Sequence, residues 1–279
     1  MALIATKLLL APCFVVGASL ATRRFGPRVG GLIAGLPVVA GPVLLAYALA
    51  HGTAFAAGAA VGTLLGLVSL IAFVVVYARL SGRAFWAASM LGGWLAFALA
   101  TAAFSALSPP AGAALAIAGA GLVLGILLTP RGGAVAVPPR TAPAWDLPMR
   151  AACALALVLT LTAIAGWLGP QLSGLLAPFP VIATVLATFT HAQRGSHETR
   201  RLLRWLLSGY GAFALFCFAL AVSLRPLGIG AAFALATALA LLTQGAILAL
   251  MRRLAMPAPA APLAVEQHAP APSVLSQGG

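Results

Sequence analysis

The chain has 279 residues, of which 62% are hydrophobic and 7% charged, with a formal charge of +13 at pH 7. Soluble domains carry about a quarter charged residues, so a water-soluble fold has nowhere to put this apolar surface and lipid is the implied solvent. The basic excess sits in short loops between apolar runs and forms no stripe along one element, which excludes a nucleic-acid surface and matches the way membrane proteins orient themselves.

About 20 apolar residues cross a ~30 Å hydrocarbon core at 1.5 Å per residue. Runs of that kind predict spans at 3–21, 30–50, 54–78, 84–106, 111–129, 149–168, 171–191, 203–223 and 228–251. The first carries Lys7 and ends near Ser19-Leu20-Ala21, in the manner of a signal peptide. Because the same segment recurs later in the chain, it reads as a retained first helix. Pro130 to Pro148 is rich in Pro and Gly and reads as a linker. Beyond Arg253 the chain turns Pro-Ala-rich and polar, a composition that buries no core.

The arginines orient these spans. Arg23, Arg24 and Arg28 follow span one, Arg79 and Arg83 follow span three, and Arg131 and Arg140 follow span five, with Arg150 at the mouth of span six. Arg194, Arg200, Arg201 and Arg204 follow span seven, Arg252 and Arg253 follow span nine, and only Arg225 stands on the other side. The positive-inside rule then puts the N-terminus outside and the C-terminus in the cytoplasm. Fifteen arginines against one lysine, with very high alanine content, suit a GC-rich bacterial genome and hence the bacterial inner membrane.

A shift of 143 residues superimposes the chain on itself. Gly26 to Ala40 (GPRVGGLIAGLPVVA) falls on Gly169 to Ala183 (GPQLSGLLAPFPVIA), identical at eight of fifteen positions, with Lys7 on Arg150 and Gly52 on Gly195. Five spans separate the two starts, so the second copy enters from the opposite side. The expected fold is an all-α integral membrane protein of about nine transmembrane helices in two inverted-topology repeats joined by an extra helix. Residues 1–110 form the first repeat, 111–129 the linking span, 130–148 a cytoplasmic linker, 149–253 the second repeat and 254–279 a disordered tail. Inverted repeats of this kind are common in secondary transporters.

Spans two and seven correspond, and both are interrupted: Gly35, Pro37, Gly41 and Pro42 in one, Gly174, Pro178 and Pro180 in the other. An interior proline removes a helical hydrogen bond, and in lipid the freed groups need a neighbour or a water-lined cavity. Paired breaks at matching positions point to a midplane site. Candidate substrate-binding residues are Gly35, Pro37, Tyr47, Pro178, Phe179, Pro180, Thr184 and Gln244. Lys7 and Arg150, equivalent at the starts of the repeats, are candidate attractors for an anion, unless they simply reach to the membrane surface. Asp146, Glu198 and Glu266 all fall in predicted loops or the tail, so no intramembrane carboxylate is expected. Cys13, Cys153 and Cys217 lack metal-ligand or redox spacing, and no nucleophile elbow or phosphate loop appears. Neither an enzyme nor a cofactor is expected.

The segment from Arg150 to Gly195, especially Ser173-Gly174-Leu175-Leu176-Ala177-Pro178-Phe179-Pro180, resembles the GlpM-type family of small four-span membrane proteins. The resemblance covers about 50 residues and implies two such units fused through an extra helix; the first half departs from it at Gly35-Leu36. The resemblance bears on architecture; the inverted repeats, paired broken helices and sparse midplane polar groups raise two functional expectations. One is a transporter or permease for a small neutral or anionic solute. The other is a non-transporting scaffold or accessory subunit of an envelope pathway. The implied partners are the lipid bilayer, a small solute and further copies of the chain, with no nucleic acid.

Overall fold

The structure, a computed structural model, describes residues 2–132, 143–157, 159–160 and 178–254, with only the helical backbone for 2–11 and 251–254. Most of the expected linker, the second half of span six, the start of span seven and the tail lie outside the described residues. What is described is helical, with no strand. The elements are α1 (Ala2–Ala34), α2 (Ala40–His51), α3 (Thr53–Leu80), α4 (Trp86–Phe104) and α5 (Ala111–Leu128). They are followed by α6, helical from residue 146 through 157, and by α7 (Val181–Leu254). Among these, α3, α4, α5 and α7 are long and apolar enough to cross a membrane, as expected of a membrane-embedded protein.

Neither α1 nor α7 is one rod. α1 is broken at Gly26 (φ 84°, ψ 172°), and α7 at Gly195 (φ 81°, ψ −179°) and Gly228 (φ 73°, ψ 177°). Gly52, between α2 and α3, has the same conformation (φ 85°, ψ 170°). Only a residue without Cβ adopts this region at low cost, so each glycine turns a sharp corner that joins two helices without a loop. The chain doubles back at these corners. Tyr47 and Phe55 flank Gly52 with ring centroids 5.5 Å apart, and Phe216 meets Phe233 across Gly228 at 6.3 Å. Seventeen residues of straight helix would separate the latter pair by about 25 Å.

The centre of the bundle is α3 packed against the 196–227 segment of α7. Leu64, Leu67, Phe73 and Tyr77 on one side and Leu202, Leu206 and Leu207 on the other are fully buried. The two run in opposite directions, because Arg200, near the start of its segment, donates to the Ala78 carbonyl at the end of α3 (3.1 Å). α4 and α5 lie outside this pair. α4 turns Ser89, Gly93, Phe97 and Thr101 inward and leaves Leu91, Leu95 and Leu99 exposed. α5 buries Ala114, Ala118 and Gly125 and exposes Val123, Leu124 and Leu127. Small residues inward and leucines outward are what helix packing in lipid favours, the reverse of a soluble amphipathic helix.

Among the described residues, Arg28, Arg79, Arg200 and Arg204 gather at one end of the bundle. Arg79 donates to the Leu128 carbonyl (3.1 Å), and Arg204 to the carbonyls of Ile126 (3.0 Å) and Thr129 (2.9 Å). Arg28 stacks over Trp205 (5.7 Å). The Arg79 and Arg204 guanidinium groups satisfy carbonyls at the C-terminal end of α5, where the backbone dipole also favours a cation. Arg225 lies 21 residues beyond Arg204 on the same segment, about 30 Å away.

Two acidic residues depart from expectation. Asp146 is not in a loop: it opens α6 and is fully buried, bonded to Arg23, Arg150 and Gln193. Glu198 is helical and buried, paired with Arg201 at 2.9 Å. Asp146 was concealed by the adjoining Pro-rich stretch and Glu198 by the arginine-rich stretch after span seven, because the partners of one come from separate segments and that of the other from the helix it helps to start.

Candidate functional site

The break expected in span two is present. α1 ends at Ala34, residues 35–39 are not helical, and α2 restarts at Ala40. Pro37 cannot donate a hydrogen bond, and Gly35 allows close packing at the end of the first half. The second break has the same local geometry. Residues 178–180 are not helical, and α7 starts at Val181. The Val38 amide donates to the Leu36 carbonyl (2.8 Å), as Val181 does to Phe179 (2.7 Å). The Gly41 amide donates to Pro37 (2.8 Å), as Thr184 does to Pro180 (2.7 Å). All four pairs obey the 143-residue offset.

The two breaks face one cavity of about 40 Å³, with room for about two to three water molecules. Leu36, Pro37 and Ala40 line it from one side and Phe179, Pro180 and Ala183 from the other. Leu70 and Phe213, again 143 residues apart, also contribute, as does Tyr210. The starts of α2 and α7 both abut this space. Among the described residues the amides of Val39, Ala40, Ile182 and Ala183 find no backbone acceptor. These are orphan donors of helix N-termini, which carry partial positive charge. Chemically the cavity is an apolar chamber with hydrogen-bond donors entering from two opposed helix ends.

Close helix crossings fix the breaks. A Cβ on Gly35 would stand 2.7 Å from the Cα of Gly209, so only glycines permit this approach. In the other half, a Cβ on Gly66 would strike the Pro178 ring. Gly35 and Pro178 are offset by 143, as are Gly66 and Gly209, so each contact is the other with the halves exchanged.

Of the sequence candidates, Pro37, Pro178, Phe179 and Pro180 line the cavity, and Gly35 sets the crossing beside it. Tyr47 does not reach it and instead lines a separate space with Phe55 and Phe104. The Thr184 hydroxyl turns away from it and accepts from Trp94 Nε1 (3.0 Å). Gln244 is buried and donates to the Leu32 carbonyl (2.6 Å), bracing the end of α1, and its Oε1 has no partner among the described residues.

Arg150 is buried against Asp146 (2.9 Å) and over the Phe189 ring (4.8 Å), so its charge is balanced away from the cavity. The Lys7 side chain lies outside the described residues. The lining residues missed by sequence reasoning include Leu36, Leu70, Tyr210 and Phe213, together with the donor amides. The Leu36-Pro37 and Phe179-Pro180 pairs announced where such amides would be freed.

Cys153 is half-buried and Cys217 buried, both as free thiols, and no group of three or more His, Cys, Asp or Glu residues suited to a metal is found among the described residues. Compared with protein-family models, characterised proteins and solved structures, the chain matches none.

Proposed function

We propose that the chain is a secondary transporter or permease of the bacterial inner membrane, built from two inverted repeats, that moves a small solute through the chamber between the two broken helices. The observation that carries this reading is the convergence of two breaks with matching hydrogen bonds on one cavity. A kinked packing helix needs one proline. It has no reason to be repeated 143 residues later with the same amides freed toward the same space. The antiparallel course of α3 and the 196–227 segment, and the exchanged Gly35–Gly209 and Gly66–Pro178 contacts, support inversion of the halves. The fusion of two GlpM-like units through α5 belongs to the same reading.

The solute is small, as the chamber is, and either neutral or anionic. It presents a hydrogen-bond acceptor to the amides of Val39, Ala40, Ile182 and Ala183, with apolar contact from Leu36 and Phe179. Attraction of an anion rests on those helix ends, since Asp146 already neutralises Arg150. Alternating access would rock the halves about the glycine crossings, exposing the breaks to each side in turn.

The test places single cysteines at Pro37 and Pro180 in a chain lacking Cys13, Cys153 and Cys217, reconstituted in sealed vesicles. Both positions are expected to react with a small water-soluble thiol reagent, one or both of them from either side. If neither reacts from either side, no aqueous path reaches the chamber, and the scaffold function takes the place of transport.

A further inference from the structure

A second and larger cavity, about 610 Å³, lies between α4, α6 and the start of α7. Met90 and Trp94 of α4, Leu157 of α6 and Val185 of α7 line it, an almost wholly apolar surface. Its volume is that of a ligand site, and it shares no wall residue with the chamber between the breaks. Trp86 and Trp145, both exposed, mark one end of it. Exposed tryptophans of a membrane helix favour headgroup depth, and these two belong to the arginine-rich end of the bundle.

Polar chemistry begins at that end. Phe189 and Gln193 form part of the wall. Arg150 sits over the Phe189 ring, and Gln193 bonds to Asp146. Arg23 completes the group on Asp146, and Arg194 stands close enough to Arg150 to repel its charge. Two arginines therefore share one carboxylate and Arg194 adds a third positive charge beside them, leaving an uncompensated positive charge at the mouth of an apolar groove. Basic pockets between helices on the cytoplasmic side are suited to anionic lipid headgroups.

We infer that this groove binds one anionic phospholipid, its phosphate at Arg23 and Arg194 and an acyl chain running between Trp94 and Leu157. A zwitterionic lipid would bring its own cation into the surplus, and a soluble phosphate would leave the groove unfilled. The site joins α4, α6 and the first segment of α7, so an occupied groove holds α7 beside its break at Gly195.

The test is thermal unfolding of the full chain in detergent with added phosphatidylglycerol, with phosphatidylcholine of the same acyl chains, or with glycerol 3-phosphate. Phosphatidylglycerol is expected to raise the midpoint by several degrees, phosphatidylcholine by much less and glycerol 3-phosphate not at all. Arg194→Gln and Ala156→Phe, the latter filling the groove, should each remove more than half of the phosphatidylglycerol-specific rise. Fluorescence keeps the inference testable if a variant does not fold. Phosphatidylglycerol brominated on its acyl chains should quench the native protein more than brominated phosphatidylcholine does, with part of that difference lost in Trp94→Phe. Equal effects of the two lipids, a full effect of glycerol 3-phosphate, or a phosphatidylglycerol response unchanged in both folded variants would overturn it.

Discussion

Asp146 gathers a guanidinium from α1, another from one turn further along α6, and the amide of Gln193 in α7. Burial raises the pKa of its carboxyl, but the bonds from Arg150, Gln193 and Arg23 outweigh this and hold it below its ordinary value of 3.8. A depressed folded-state pKa contributes stability that is complete above the unfolded value and is lost as pH falls through the folded one. Apparent melting temperature in detergent should thus hold from neutral pH to about 4 and fall below it, Asp146 contributing to the fall. In Asp146→Asn the fall should be shallower, from a lower starting point. Removing one partner of a buried pair leaves Arg150 uncompensated, a cost of up to about 3–5 kcal/mol. A variant that tracks the native protein through the whole pH range would show that the cluster is not coupled to folding.

That carboxylate also marks where sequence stopped being informative about single residues. Pro37 and Pro180 were legible because a missing amide is a property of the residue itself. Asp146 was not, because its environment is assembled from three distant segments, and the adjoining Pro-rich stretch made it look like a loop. Tyr47, Thr184 and Gln244 stand out in the sequence as polar groups in apolar runs. Which way each faces depends on helix rotation. Helices that are apolar on nearly every face leave no pattern from which rotation can be read.

At the scale of elements, the glycine corners were partly legible: Gly52 and Gly195 align under the 143-residue offset, and both carry a positive φ. Nothing lies within 4 Å of where a Cβ would sit on either. The whole effect of Gly52→Ala or Gly195→Ala is therefore conformational, a destabilisation of about 1–3 kcal/mol each. Gly119 is the control, since it also has open space around it but sits inside α5. There alanine should leave stability unchanged or raise it by about 0.5–1 kcal/mol. Denaturation of the three variants in one detergent compares them directly. If Gly52→Ala were as stable as Gly119→Ala, the corner between α2 and α3 would not require its left-handed backbone. The helix boundaries were less legible than the corners. Hydropathy averages over a turn that uses one residue, so α1 runs past its expected end at 21 to the corner at Gly26.

For the whole molecule, the arginine asymmetry and the packing converge on one arrangement. Arg79, Arg200 and Arg204 bond to the ends of neighbouring helices at one pole, whereas Arg225 sits about 30 Å from Arg204, roughly a hydrocarbon core distant. Arg83 and Arg225 are both exposed, so each can be exchanged for cysteine without breaking a buried pair. In a chain lacking its native cysteines, Arg83→Cys should react with a membrane-impermeant thiol reagent only in inside-out vesicles, and Arg225→Cys only in right-side-out ones. If both react but from sides opposite to those expected, the bundle is inserted upside down and the inverted repeat stands. If both react from the same side, the 196–227 segment does not cross the bilayer. The opposed courses of α3 and that segment would then no longer describe two halves facing opposite sides of a membrane, and the proposed alternation of the chamber would lose its basis.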